Sequence, residues 1–264
     1  MNVLALQHDI VWEDKPANHA VVERMLAKAR PAPGDLVVLA ELFDTGFSMN
    51  LERIVDGATV PWARRVAVDL DVNVLCGHAE RAEDSKGRNR ATLVDRNGRD
   101  IGWYDKIHPF SFGRESTFYG GGQRLLLRRV EDAVVCPLIC YDLRFPELWR
   151  IAAFAGAEVF LIGASWPATR QAHWRALCIA RAIENQAYVV AVNRVGSDPF
   201  LPYTGGSIVV SPRGEVVAEA DDRAATLRAA LDLAALRAWR AEFPALRDLR
   251  REHLGTIVVD SGIT

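Results

Sequence analysis

The sequence is short of the features that usually assign a protein quickly. It holds 4 cysteines in 264 residues, too few for the disulfide framework of a small secreted domain. Free thiols in a reducing compartment are the expectation. No apolar run reaches the roughly 18 residues that a membrane span needs. The most apolar stretch, residues 151–164, is interrupted by Glu158. The opening MNVLALQHDIVWEDK lacks a basic leading region, and its apolar run stops at Gln7, so it does not read as a secretory signal. Neither sign of charge dominates: 32 Lys and Arg against 34 Asp and Glu give a net charge of −2. A nucleic-acid partner would call for a basic balance or stripe. The histidines (His8, His19, His78, His108, His173 and His253) are dispersed, without metal-ligand spacing, and no GxGxxG fingerprint occurs. The lone glycine run 120–122 reads as a turn. No Gly-, Pro- or Ser-rich block divides the chain. These absences predict one cytoplasmic domain over residues 1–264, with no metal, nucleic acid or membrane.

What is present is a mixture of β-α alternation and hairpins. Strands are predicted at 3–7, 35–40, 72–77, 133–140, 159–162, 188–192 and 225–231. Helices are predicted at 16–29, 61–70, 147–155, 170–185 and 233–242. Asn97-Gly98 marks a hairpin between 91–94 and 100–104, because both residues tolerate positive φ. A second hairpin joins 207–211 to 215–220 around Pro212-Arg213-Gly214. DLVVLA and VVCPLIC are nearly all apolar, as strands covered on both faces should be. Pro137 removes one ladder donor and predicts a bulge or an edge there. The pattern calls for sheets with helices outside; whether there is one sheet or two stays open.

Three reactive residues stand at or just beyond the ends of such runs. Glu41 follows DLVVLA, Lys106 follows the hairpin in GWYDKIHPF, and Cys140 closes VVCPLIC. Strand ends beside loops are where α/β folds place reactive groups, so the three can meet. Chemically the trio is coherent. A thiol is mostly protonated at neutral pH, a carboxylate can take its proton during attack, and an ammonium can hold an oxyanion. Each residue also has an ordinary reading. Cys140 can be inert core, Glu41 a cap or turn residue, and Lys106 a solvated surface lysine.

At these residues the chain resembles the nitrilase superfamily of carbon–nitrogen hydrolases. LAELFDTGF, YDKIHPF and ICYDLRFPE occur in order, with Glu41, Lys106 and Cys140 separated by 65 and 34 residues. Residues 164–196 and 204–220 add further matching segments. The resemblance implies an α/β fold, a four-layer α-β-β-α sandwich. It implies that Glu41 is the general base, Lys106 the oxyanion-holding cation and Cys140 the nucleophile. Glu115, in FGRESTFYGGG, matches the family's second glutamate, which positions substrate and lysine. The Tyr141 N–H would be the second oxyanion donor. No cofactor is implied.

Tyr141-Asp142 after the nucleophile resembles the amidase branches; true nitrilases carry Trp-Glu there. AELFDTGFSMN, CYDLRFPE and ASWPATR look most like the omega-amidases, which hydrolyse 2-oxoglutaramate and 2-oxosuccinamate. Such small-molecule amides carry a carboxylate far from the reacting carbon, which a guanidinium reads well. Arg144 is the candidate, with an ion pair to Glu147 or Asp142 as its ordinary alternative. Phe43, Phe110 and Trp166 are candidate pocket walls. Ala40 departs from the proline that the branch carries before the glutamate and puts the geometry of that loop in question. The resemblance also implies a homodimer or larger homo-oligomer. Its contact face could include an amphipathic segment at 233–254 bearing Leu236, Trp239, Phe243, Leu246 and Leu249. Competing functions are an amidase for N-carbamoyl compounds or deaminated glutathione, a catalytically silent binding protein, and a thiol redox protein using Cys136 and Cys140. The CxxxC spacing ranks the last reading lowest.

Overall fold

Strands built from unbroken Val, Leu, Ile and Ala need cover on both faces. The computed structural model, which describes residues 1–84, 86–250, 252 and 258–262, supplies that cover with two packed sheets. The chain opens with β1 (Asn2–Gln7), α1 (Lys15–Ala29), β2 (Leu36–Val38), α2 (Leu51–Ile54) and α3 (Thr59–Leu70). There follow β3 (Asn73–Arg81), β4 (Gly87–Val94), β5 (Asp100–Asp105) and the short α4 (Glu115–Phe118). Next come β6 (Arg124–Leu126), β7 (Arg128–Val130), β8 (Ala133–Ile139), a 3-10 turn at Cys140–Arg144, and α5 (Pro146–Phe154). The chain continues through β9 (Val159–Ala164), α6 (Gln171–Asn185), β10 (Tyr188–Asn193), β11 (Val195–Ser197) and β12 (Pro202–Thr204). It closes with β13 (Ile208–Val210), β14 (Val216–Glu219), β15 (Ala225–Ala230), α7 (Leu233–Glu242) and β16 (Val258–Asp260).

One sheet has the order β15-β1-β2-β3-β4-β5 and the other β14-β13-β10-β9-β8-β7. Each is built on three parallel strands, β1-β2-β3 in the first and β8-β9-β10 in the second, with antiparallel strands outside. β1 faces β10 and β2 faces β9 across the interface. α3, with α1 against it, covers the first sheet, while α6, with α5 against it, covers the second. The layers are therefore α-β-β-α, as the resemblance implied. One apolar core runs through both sheets and their helices. No helix among the described residues is long and apolar enough to cross a membrane.

Local chemistry sets the element ends. The Asp14 carboxylate accepts from the Ala17 N–H (3.0 Å) at the start of α1, and Pro16 occupies its first turn. The β4–β5 hairpin forms as expected, but only Gly98 takes a positive φ (+76°), and the ladder shifts register between Leu93 and Val94. The loop is thus longer and bulged, not a two-residue turn. Pro137 sits where β8 has lost its outer neighbour: β7 pairs only with 133–135, and Pro137 keeps Leu161 of β9 as its partner. The expected long amphipathic segment is corrected. α7 stops at Glu242, one residue before Phe243-Pro244, and a 3-10 turn at Ala245–Arg247 follows, because proline cannot continue the hydrogen-bond ladder. Of that segment, Arg251, His253 and Leu254 lie outside the described residues.

Candidate active site

The parallel strands deliver the reactive groups from their C-terminal ends. β2 leads to Glu41, β8 to Cys140 and β9 to Ser165, while β5 runs directly into Lys106. Lys106 is not a solvated lysine: it is 1% exposed, and its Nζ lies 2.7 Å from Glu41 Oε1 and 2.9 Å from Glu115 Oε2. Asn89, on β4, ties the two carboxylates together. Its Nδ2 donates to Glu41 Oε1 (2.7 Å) and to Glu115 Oε1 (2.8 Å). The Phe110 N–H donates to Glu115 Oε2 (2.6 Å), and the Ser165 N–H donates to Glu41 Oε2 (2.9 Å). The ordinary readings of Glu41 as a cap and Lys106 as surface therefore fall away. Glu115 belongs to the same cluster.

The backbone around Glu41 is gripped from both sheets. A Cβ at Gly77 of β3 would lie 2.6 Å from the Ala40 carbonyl oxygen and 3.1 Å from Glu41 Cα. A Cβ at Gly163 of β9 would lie 2.7 Å from the Leu39 carbonyl oxygen and 2.8 Å from the Glu41 nitrogen. Only glycine lets the sheets approach this closely. Ala40 therefore costs the loop little. Leu39 N–H donates to Leu75 O (3.0 Å), Phe43 N–H donates to Gly77 O (3.2 Å), and Leu42 adopts a positive φ of +45°.

Cys140 itself has φ +44°, a left-handed conformation uncommon outside glycine. The sharp turn that follows projects its thiol into the cleft instead of along the strand. Asp142 braces the turn. Its Oδ2 accepts from the Ile139 N–H (3.1 Å) and the Tyr104 hydroxyl (2.7 Å), and its Oδ1 accepts from the His108 N–H (3.1 Å). Asp142 is thus spoken for, and Arg144 pairs with neither it nor Glu147. Cys136, by contrast, is wholly buried in the core, its thiol pushed up by burial and by the Asp142 charge.

Electrostatics follow from burial and charge. Burial pulls the Lys106 ammonium toward neutrality, but Glu115 and Glu41 overcome this and hold it charged, well above the usual lysine range. Burial raises the Glu115 carboxyl, and the Glu41 charge adds to the rise, against the pull of Lys106. Burial pushes the Cys140 thiol far up, and Glu41 adds to it, while Lys106 and the Ser165 N–H offset it only in part. The resting thiol is therefore protonated at neutral pH. A cluster of this kind, with a thiol, a carboxylate that can take its proton and a fixed ammonium, supports nucleophilic attack on an acyl carbon.

A cleft opens above Cys140, and its walls are largely apolar, as those of small-molecule sites are. Phe110, Trp166 and Arg144, three of the expected pocket residues, line it, and so does Tyr141, which was expected only as a backbone donor. Phe43 does not, and that expectation is corrected. It is fully buried beside His19 and Trp62, at centroid distances of 5.7 and 5.3 Å, because its strand-end turn points it back into the core. Phe47, Ser165, Pro167, Arg170, Leu201 and Tyr203 complete the lining, and sequence reasoning gave none of them a role. The Arg144 guanidinium lies over the Trp166 ring (4.7 Å) and that of Arg170 over the Phe110 ring (5.4 Å). Lys106 Nζ lies 5.3 Å from the Phe47 ring centroid.

Residues 3–241 match the model of the carbon-nitrogen hydrolase family. The chain belongs to that family. It is similar to the omega-amidase YafV of Escherichia coli (strain K12), with 38% identity over 252 residues that cover 94% of this chain and 96% of the other. It is likewise similar to the 2-oxoglutaramate amidase of Bacillus subtilis (strain 168), with 32% identity covering 95% and 98%. Among solved structures it resembles XC1258 from Xanthomonas campestris, a CN-hydrolase superfamily protein carrying an arsenic adduct in its active site. There the TM-score is 0.89 and the identity 32%, covering 97% of this chain and 99% of that one. This carbon-nitrogen hydrolase thus has the fold and family that its three short motifs implied.

Proposed function

We propose that this carbon-nitrogen hydrolase is an omega-amidase that converts 2-oxoglutaramate or 2-oxosuccinamate to the corresponding acid and ammonia through a cysteine thioester. One observation carries the reading: the fixed Lys106 ammonium, held by Glu41 and Glu115, stands in the cleft that holds Cys140 and is walled by Arg144. The names of two relatives, an omega-amidase and a 2-oxoglutaramate amidase, support the substrate.

In this mechanism Cys140 Sγ attacks the amide carbon and Glu41 takes the thiol proton. The carbonyl electron pair moves to oxygen, where Lys106 and the Tyr141 N–H hold it. As the oxyanion collapses, the C–N bond breaks, Glu41 returns its proton to nitrogen and ammonia leaves. Water then attacks the thioester and gives its proton to Glu41, and the acid departs as Cys140 regains its proton. Glu115 stays ionised and positions Lys106. Arg144 reads the far carboxylate, and Phe110 and Trp166 wall the substrate's middle. A cytoplasmic homo-oligomer belongs to the same reading, on the family resemblance and the four free buried cysteines.

Ammonia release from 2-oxoglutaramate, measured for the wild type and Cys140→Ala, tests the proposal. Activity in the wild type alone is the expected result. Activity that survives the substitution would sink the mechanism, and no activity in either protein would sink the substrate assignment.

A further inference from the structure

The cleft holds a second guanidinium, Arg170, that the proposed chemistry does not use. It ends the 3-10 turn Ala168–Arg170, and its position is fixed at both backbone groups. Its N–H donates to Pro167 O (3.0 Å), and its carbonyl accepts from Trp166 Nε1 (2.8 Å). Its side chain lies against Phe110, on a different wall from Arg144, which lies against Trp166. Among the described residues neither guanidinium has a carboxylate partner. Arg144 Nη2 approaches only the His173 Nδ1 (3.3 Å). Among the described residues Glu41 is the one acidic residue lining the cleft, and it is engaged by Lys106, Asn89 and Ser165. The lining therefore brings two guanidiniums and, among the described residues, no carboxylate besides Glu41.

Resting on the omega-amidase reading, we infer that Arg170 selects the group on the carbon beside the far carboxylate, favouring a neutral oxygen acceptor and rejecting an ammonium. One guanidinium fork suffices for a carboxylate. A second fork from another wall can then donate to an oxo group on the neighbouring carbon. An ammonium at that carbon would meet two cations, with no free carboxylate to receive it, and like-charge placement of this kind is how a site rejects a competitor. The site so built hydrolyses the amide of a 2-oxo acid and spares the amide of the matching amino acid.

Three substrates that differ only at that carbon test the inference: 2-oxoglutaramate, glutaramate (two hydrogens there) and glutamine. kcat/KM is measured for each with the wild type, Arg170→Gln and Arg170→Lys, and the melting temperature and Cys140 alkylation report an intact site. In Arg170→Gln the preference for 2-oxoglutaramate over glutamine should fall by about 10- to 100-fold, the worth of one charge-assisted hydrogen bond. Glutaramate should change little, and Arg170→Lys, which keeps the charge without the fork, should fall between. Equal losses on all three substrates, or no loss on any, would overturn the inference while leaving the omega-amidase reading in place. A wild type inactive on 2-oxoglutaramate would overturn both.

Discussion

Glu115→Gln is the substitution whose consequence the geometry fixes most closely. Glu115 Oε2 accepts from Lys106 Nζ and the Phe110 N–H, while Oε1 accepts from Asn89 Nδ2. Glutamine offers one oxygen and one NH2. If its oxygen keeps Lys106 and Phe110, its NH2 meets the Asn89 nitrogen. Asn89 cannot turn over to help, because the same nitrogen donates to Glu41 (2.7 Å). In the other orientation the NH2 meets an ammonium and a backbone N–H. Either way a buried donor loses its acceptor, and Lys106 keeps one carboxylate of two. A lost charge-assisted bond and an unpaired buried donor together cost about 3–4 kcal/mol, or roughly 10²- to 10³-fold in kcat/KM. The pH profile gives a second readout. In the proposed mechanism Lys106 works protonated, and Glu115 helps hold it so, so the alkaline fall of kcat/KM should move to lower pH in the variant. Ammonia release across pH, with Cys140 alkylation as a control for an intact fold, measures both. A variant within about threefold of the wild type, with an unmoved alkaline limb, would refute a positioning role for Glu115.

Two further outcomes follow from packing and burial. Gly163→Ala places a methyl against the Leu39 oxygen and the Glu41 nitrogen, both backbone atoms. Displacement of Glu41 should lower kcat on the order of 10²-fold, with a stability loss of about 1–3 kcal/mol, and an unchanged kcat would refute the cradle. His8, fully buried, has its pKa lowered to about 4 by burial, with the Arg194 charge adding to the shift against the Phe43 carbonyl. The unfolded chain therefore binds the extra proton first, so the stability this neutral histidine protects is present above about pH 6.5 and is lost as pH falls toward 4. Urea unfolding at pH 7 and pH 4.5 should show a loss of about 2–3 kcal/mol that His8→Gln lacks, and equal losses in both proteins would refute it.

The parts of the fold that were legible were those in which local chemistry and burial agree. Continuous apolar runs gave β1, β2, β8, β9 and β10, and helical patterns gave α1 and α5. The number of sheets was not legible, because period and composition are the same for strands of one sheet or two. In the site, Glu41, Lys106 and Cys140 came from three motifs, and Glu115 from a weaker one. Asn89 carried no signal. It sits between Arg88 and Arg90 on a strand that reads as polar, and only the fold turns it inward. Asp142 was legible as a marker of the branch, but its work as the brace of the Cys140 turn needs partners from β5 and residue 108. Phe43 was misplaced because sequence proximity to Glu41 says nothing about which way a turn directs the next side chain. Arg170 lay unremarked inside a matching segment, since nothing local distinguishes a guanidinium that lines a cleft from one on a surface.

The paired carboxylates around Lys106 look extravagant until the charges are followed through the proposed reaction. With both carboxylates ionised, as the proposed reaction begins, they and one ammonium leave one net negative charge in a buried site. When Cys140 attacks, Glu41 takes the thiol proton and becomes neutral as the substrate oxygen becomes negative. The net charge of the cluster does not change; one negative charge moves from one side of Lys106 to another. Lys106 is thereby released from half of its ion pairing at the moment an oxyanion needs it, and Glu115 keeps it charged and in place throughout. Had Lys106 faced Glu41 alone, protonation of Glu41 would have left a buried ammonium with no partner but the oxyanion, free to shift toward solvent or lose its proton. The second carboxylate thus serves preorganisation: the cation is already charged and oriented before the anion it stabilises exists. Asn89 completes the arrangement, because its single amide nitrogen fixes the separation of the two carboxylates and so the place where Lys106 must stand.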